Sequence, residues 1–143
     1  MLPYYCNEAL LMLPRVRSIQ DRTRQDLAIV TEEGTKLTLV IARAPSGPNE
    51  SIHAVIDKGL KEQQRGLLGF QLIEKTEVEY GGLLGVEVKV RWIDKTDGPI
   101  FHYVFHTKVG DERIGFFGIS TVADAGACAE WMVAMLSNLK LRS

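Results

Sequence analysis

The stretch from Phe70 to Thr121, FQLIEKTEVEYGGLLGVEVKVRWIDKTDGPIFHYVFHTKVGDERIGFFGIST, decides the fold. Its apolar residues recur every second position, the period of a strand with one face buried. Phe70, Leu72, Val78 and Tyr80 alternate with Gln71, Lys75, Glu77 and Glu79. Gly81-Gly82 then predicts a tight hairpin, because two adjacent residues with positive φ suit the two-residue turns that match strand twist. The return strand alternates Val86, Val88, Val90 and Trp92 with Glu87, Lys89 and Arg91. Asp97-Gly98-Pro99 and Gly110-Asp111 mark two more turns, so Ile100–Lys108 and Arg113–Thr121 complete a four-strand antiparallel meander.

The last two strands are apolar on both faces. Phe101, Tyr103 and Phe105 point one way; Ile100, His102 and Val104 point the other. Likewise Ile114 and Phe116 oppose Phe117 and Ile119. A half-exposed antiparallel strand carries one polar face, so something must cover the second face here. The protein's own helices, a second subunit or a ligand could each do so. Gly115 and Gly118, inside the last strand, predict a bend or a close approach.

Working outward, Asp124 reads as the cap of a C-terminal helix from Ala125 to about Leu139. Its apolar stripe of Cys128, Trp131, Met132, Met135, Leu136 and Leu139 should lie on the sheet. Upstream, Pro45-Ser46-Gly47-Pro48-Asn49 breaks the chain. Ser51 then caps a helix to about Gly66, with Ile52, Val55, Ile56, Leu60 and Leu67 on one face. Gly59 inside this helix costs about 1 kcal/mol relative to alanine; it either admits a close backbone approach or is simply tolerated. Earlier still, Thr35–Arg43 is a strong strand, Asp26–Thr31 a weaker one, and Pro3–Asn7 and Leu10–Leu13 are short extended pieces. Strands, helix, four strands, helix make an α+β layout with helices packed on a twisted antiparallel sheet.

Bulk properties narrow the function. The 143 residues, 45% hydrophobic and 24% charged, suit one globular domain spanning 1–143. The 17 Lys and Arg against 18 Asp and Glu interleave along the chain, which argues against nucleic acid or an anionic membrane surface as partner. Arg15, Arg17, Arg22 and Arg24 cluster most closely, but Asp21 and Asp26 dilute them. No apolar run approaches the ~20 residues of a membrane span. Glu8 interrupts what would be the apolar core of a secretory signal, so the expected location is cytoplasmic. Cys6 and Cys128 lack metal-ligand spacing and read as small buried hydrophobes.

Chemistry is sparse. His102 and His106 share a strand face but lie ~13 Å apart along the strand, and His53 has no partner at metal-binding spacing, so no metal site is expected. Neither glycine-rich stretch opens a helix as a phosphate loop must. No serine or cysteine sits in a nucleophile elbow. The expectation is a binding protein with no catalytic residues and no cofactor. The alternative is a small-molecule binder or enzyme with a pocket in the half-open sheet, using His102, His106 and Tyr103.

Several strings, in order, carry a resemblance. They are Tyr4-Tyr5-Cys6-Asn7-Glu8, Leu13-Pro14, Asp21-Arg22-Thr23, the strand ending Val40-Ile41-Ala42-Arg43, Gly69-Phe70-Gln71-Leu72, the Gly81-Gly82 hairpin, Arg91-Trp92, and Trp131 with Leu136 and Leu139. Together they resemble the DcrB-like, PsbP-fold family over essentially the whole chain. Among its members the sequence looks most like the Eag chaperones of type VI secretion. That resemblance implies a PsbP-like fold and a cytoplasmic homodimer. Its apolar cradle would hold the N-terminal transmembrane helices of PAAR- or Rhs-type effectors, without inserting into a membrane itself. It also implies a protein-binding groove formed by Val40, by Gly59, Gln63 and Leu67 on the first helix, and by Phe101 and Tyr103. The chain departs from the family pattern at Arg24 and Asp26, where apolar residues are usual, and at Gly59, where a glutamine is expected.

Overall fold

The computed structural model describes residues 2–5, 10–13, 24–47 and 49–139, with side chains from residue 24 onward. Two short strands, β1 (Leu2–Tyr5) and β2 (Leu10–Leu13), pair antiparallel with each other. Cys6, Arg15, Arg17, Asp21 and Arg22, singled out above, lie outside the described residues. The main sheet contains β3 (Gln25–Val30), β4 (Lys36–Pro45), β5 (Gln71–Tyr80), β6 (Leu83–Asp94), β7 (Gly98–Val109) and β8 (Glu112–Thr121). Its spatial order is β3-β4-β8-β7-β6-β5, antiparallel throughout. Helix α1 (Ile52–Gly66) separates β4 from β5, and α2 (Ala125–Ser137) ends the described chain.

The expected meander is present as β5 to β8, and β4 joins it by pairing with β8, which places Val40 opposite Phe117. Gly81 and Gly82 adopt φ values of 59° and 82° between β5 and β6, a turn that side-chain-bearing residues rarely make. Ser51 accepts a hydrogen bond on Oγ from the amide of Ala54 and so caps α1 as expected. Asp124 does not cap α2 with its side chain. A short 3-10 turn, Val122–Asp124, leads into that helix instead.

The pleat alternates side chains across the sheet, and antiparallel partners share a face. One face therefore carries Leu39, Phe101, Tyr103, Phe105 and Phe116, and α2 covers it with Cys128, Met132 and Leu136. The opposite face carries Val86, Val88 and Val90 of β6, against which Ile56 of α1 packs. The doubly apolar character of β7 and β8 thus has an internal explanation in part, since each helix lies on a different face. Among the described residues no helix is long and apolar enough to cross a membrane.

α2 can approach closely because Gly118 has no side chain. A Cβ there would meet Met132 Cγ at 2.5 Å and Sδ at 2.7 Å. The close approach read from the sequence is real, and the neighbour is a helix side chain. Gly118→Val should therefore push α2 outward and cost about 1–3 kcal/mol. Thermal melting should show a fall of several degrees, and an unchanged melting temperature would contradict this packing.

Candidate functional site

α1 covers only part of its face of the sheet. Ile56 is buried, whereas Ile52, Val55, Leu60 and Leu67 remain half-exposed. On the β5 side a hydrogen bond and an ion pair fasten the helix. His53 Nε2 lies 2.8 Å from Glu77 Oε1, and Lys75 Nζ donates to Asp57 Oδ1 at 2.7 Å. That hydrogen bond from Lys75 holds the Asp57 carboxyl below the usual carboxylate range. On the β8 side lies an open groove of about 530 Å3.

The groove floor is Val88 and Val90 of β6, His102, Val104 and His106 of β7, and Phe117 of β8. Its wall is the flank of α1 that carries Gly59, Gln63, Gly66 and Leu67. A Cβ at Gly59 would meet nothing within 4 Å. No other described residue approaches there, so the glycine leaves a notch in the wall. Trp92 packs edge-on against His102 at a centroid distance of 4.3 Å, and His106 meets Phe117 in the same manner at 5.8 Å.

Of the six expected groove residues, the structure brings Gly59, Gln63 and Leu67 together along the groove wall. Val40 shares the α1 face through its pairing with Phe117, but it is only 3% exposed and does not line the groove. Phe101 and Tyr103 lie on the opposite face, in the core beneath α2. The pleat makes these placements exclusive: once α2 takes the 101/103/105 face, residues 102, 104 and 106 must face α1. The imidazoles of His102 and His106 are thus the floor polar groups, and Tyr103 cannot join them.

Tyr103 belongs to a different polar cluster. Its hydroxyl donates to Glu87 Oε2 at 2.5 Å, and Tyr80 Oη donates to the same oxygen at 2.7 Å. Burial first, and then these bonds to Glu87 and Tyr80, push the Tyr103 phenol far above its usual range. Lys89, 3.6 Å from Glu87 Oε1, also bonds Glu74 at 3.1 Å. Burial pulls the Lys89 ammonium down, but the two carboxylates outweigh it and hold it above its ordinary value. Such a network specifies register within a core, and no cavity opens onto it among the described pockets.

Burial depresses both groove imidazoles to a pKa of about 4, aided at His106 by nearby Arg113. At neutral pH the groove floor is therefore uncharged. Neither ring has a hydrogen-bond partner among the described residues. No group of three His, Cys, Asp or Glu among the described residues is placed to hold a metal ion. The site can bury apolar surface and offer a few hydrogen bonds, from two imidazoles and the Gln63 amide.

A family model for DcrB matches residues 8–130, and the chain belongs to that family. Among solved structures, a Pseudomonas aeruginosa protein of unknown function, described as a candidate regulator, superposes with a TM-score of 0.79 at 18% identity. That match covers 100% of this chain and 98% of the other. The solution structure of cyanobacterial PsbP (CyanoP) from Synechocystis sp. PCC 6803 matches with a TM-score of 0.53 at 8% identity, covering 87% of this chain and 95% of that one. These likenesses establish a PsbP-like α+β fold. Among curated proteins none matches this chain in sequence.

The depressed imidazoles carry a stability consequence. Unfolded histidines take up protons near pH 6.5, whereas the folded ones do so only near pH 4. Between those values the unfolded state binds more protons, so stability falls as pH falls and levels off below about 4. Each histidine contributes at most about 3 kcal/mol to this loss. Urea unfolding across that range should show the decline, and His102→Gln with His106→Gln should flatten it. An equally steep decline in the double variant would contradict the assignment.

Proposed function

We propose that this DcrB-family protein is a non-enzymatic adaptor or chaperone that shields an apolar helix of a client protein. The observation that carries this reading is the open groove between α1 and the uncharged β6–β8 floor, notched at Gly59. An apolar helix held in water must have its surface covered, and laying it in a groove beside another helix does so at ~25 cal/mol per Å2 buried. Glycine on the wall lets a second helix approach α1 closely, as small residues do where helices pack.

A second surface supports a protein partner. Leu68, Leu72, Ile73 and Ile93 are exposed where α1 passes into β5, with Leu68 at 61%. Ile93 donates its amide to the Leu68 carbonyl, which sets these two exposed side chains beside each other. Clustered exposed apolar residues mark interaction surfaces. A cytoplasmic homodimer, each subunit supplying part of a shared cradle, is the assembly proposed. The client class is a secretion effector of PAAR or Rhs type with apolar N-terminal helices, as the resemblance to Eag chaperones implies. The His102–His106 pair favours a small-molecule ligand as the second reading, but an open groove encloses such a ligand poorly.

Co-expression with a PAAR-type effector should give a complex that is lost when the effector's apolar N-terminus is deleted. Gly59→Trp should fill the notch and weaken the complex at least ~10-fold, as expected for blocking a central contact. Light scattering at micromolar concentration should give the mass of a dimer. Retention of the complex after the deletion would overturn the chaperone reading, and a monomer would overturn the shared cradle.

A further inference from the structure

We propose that the groove takes its apolar helix antiparallel to α1, with a carboxylate-bearing C-terminal end held against Arg113 and Lys108. This rests on the groove reading above and specifies the chemistry and direction of the occupant. The groove floor runs along β7 from His102 to His106, and Lys108 follows just beyond it on the same α1 face. Arg113 is the register partner of both Lys108 and Ala44, which places it on that same face at the groove's end. The start of α1 lies here too, because Lys108 Nζ donates to the Gly47 carbonyl at 3.0 Å, four residues before Ser51.

This end is incompletely satisfied from within. Ser46 is only 5% exposed, and its Oγ has no hydrogen-bond partner among the described residues. Arg113 Nε is likewise buried without one. Ser46 lies two residues beyond Ala44, hence on the same face and diagonal to Arg113. Glu50 is the carboxylate nearest to Arg113, with Oε1 3.8 Å from Nε, beyond hydrogen-bond reach, while its Oε2 accepts from the Gly47 amide at 3.1 Å. Lys108 and Arg113 thus stand beside Glu50, with Asp111 exposed in the adjacent turn, and next to a buried hydroxyl with an unused proton. Glu62 is the acidic residue on the groove wall itself. The groove therefore has an uncharged, largely apolar floor, with Lys108 and Arg113 just beyond one end.

Charge complementarity selects the occupant's direction. The C-terminal end of a helix carries negative partial charge, and its unpaired carbonyls accept hydrogen bonds. Set beside the N-terminus of α1, Arg113 and Lys108, that end meets donors and positive charge together. From His102 to Lys108 the strand spans ~20 Å, the length of about 13 residues of helix.

The test uses the full chain and fluorescein-labelled helical peptides of about 14 leucine and alanine residues. One carries two aspartates and a free carboxylate at its C-terminus, one two lysines and an amide there, and one the two aspartates at its N-terminus. By fluorescence anisotropy at low salt, the C-terminal acid should bind about five- to tenfold more tightly than either other peptide. The gap should collapse at ~1 M salt and in Arg113→Gln with Lys108→Gln, whose fold is checked by circular dichroism. Equal affinity of the three peptides would overturn this inference and leave the groove reading standing. If no peptide binds, while dodecanoate binds with the same Arg113 dependence, the occupant is a small amphiphile and both readings fail.

Discussion

Everything in this molecule depends on how α2 seats on the sheet. Gly118 removes the one side chain that would keep Met132 away from β8, and Cys128, Met132 and Leu136 become fully buried against Tyr103 and Phe105. Once that contact is made, strict alternation along β7 leaves no freedom. Phe101, Tyr103 and Phe105 belong to the core, while His102, Val104 and His106 belong to the face beneath α1. A packing requirement on one side of the sheet thus determines which chemistry is presented on the other.

The two helices contribute very differently. α2 closes its face with a continuous apolar stripe, whereas α1 buries Ile56 and leaves most of its apolar flank half-exposed. Polar contacts with β5 fasten α1 on one side only, and the other side stays open as the groove. A face finished on one flank and open on the other fits the receptor for a further helix proposed above. The same half-coverage keeps His102 and His106 neutral at physiological pH, so the groove floor stays compatible with apolar surface.

Much of the fold was legible in the sequence because β5 to β8 alternate so regularly and their turns carry glycine where positive φ is needed, as at Gly81-Gly82. Ser51 identified the start of α1 correctly, and the stripe on α2 identified its buried side. Asp124 marked the start of α2 correctly, but its side chain makes no capping hydrogen bond, and a 3-10 turn leads into the helix there. The groove was legible only in part. Gly59, Gln63 and Leu67 were implied by the family resemblance and do line the groove wall, whereas Phe101 and Tyr103, implied with them, lie on the other face. Parity separates two faces without saying which helix covers which, and both faces of β7 are apolar. The deciding clue was in the sequence: Gly118 pairs with Tyr103, and a strand glycine opposite a large aromatic marks where a helix presses on the sheet. The orphaned Ser46 hydroxyl carried no such signal, since its burial depends on a strand far away in sequence.

The central claim is that the groove beside α1, floored by His102 and His106, is the binding surface. Imidazole NMR tests it most directly, because the three histidines of the chain divide cleanly between two environments. His102 and His106 lie in the groove, while His53 is exposed and paired with Glu77 on the opposite flank of α1. Titration with an apolar helical peptide should shift the His102 and His106 ring resonances together and leave His53 in place. Saturable binding that moves neither groove histidine, or moves His53 alone, would contradict the account.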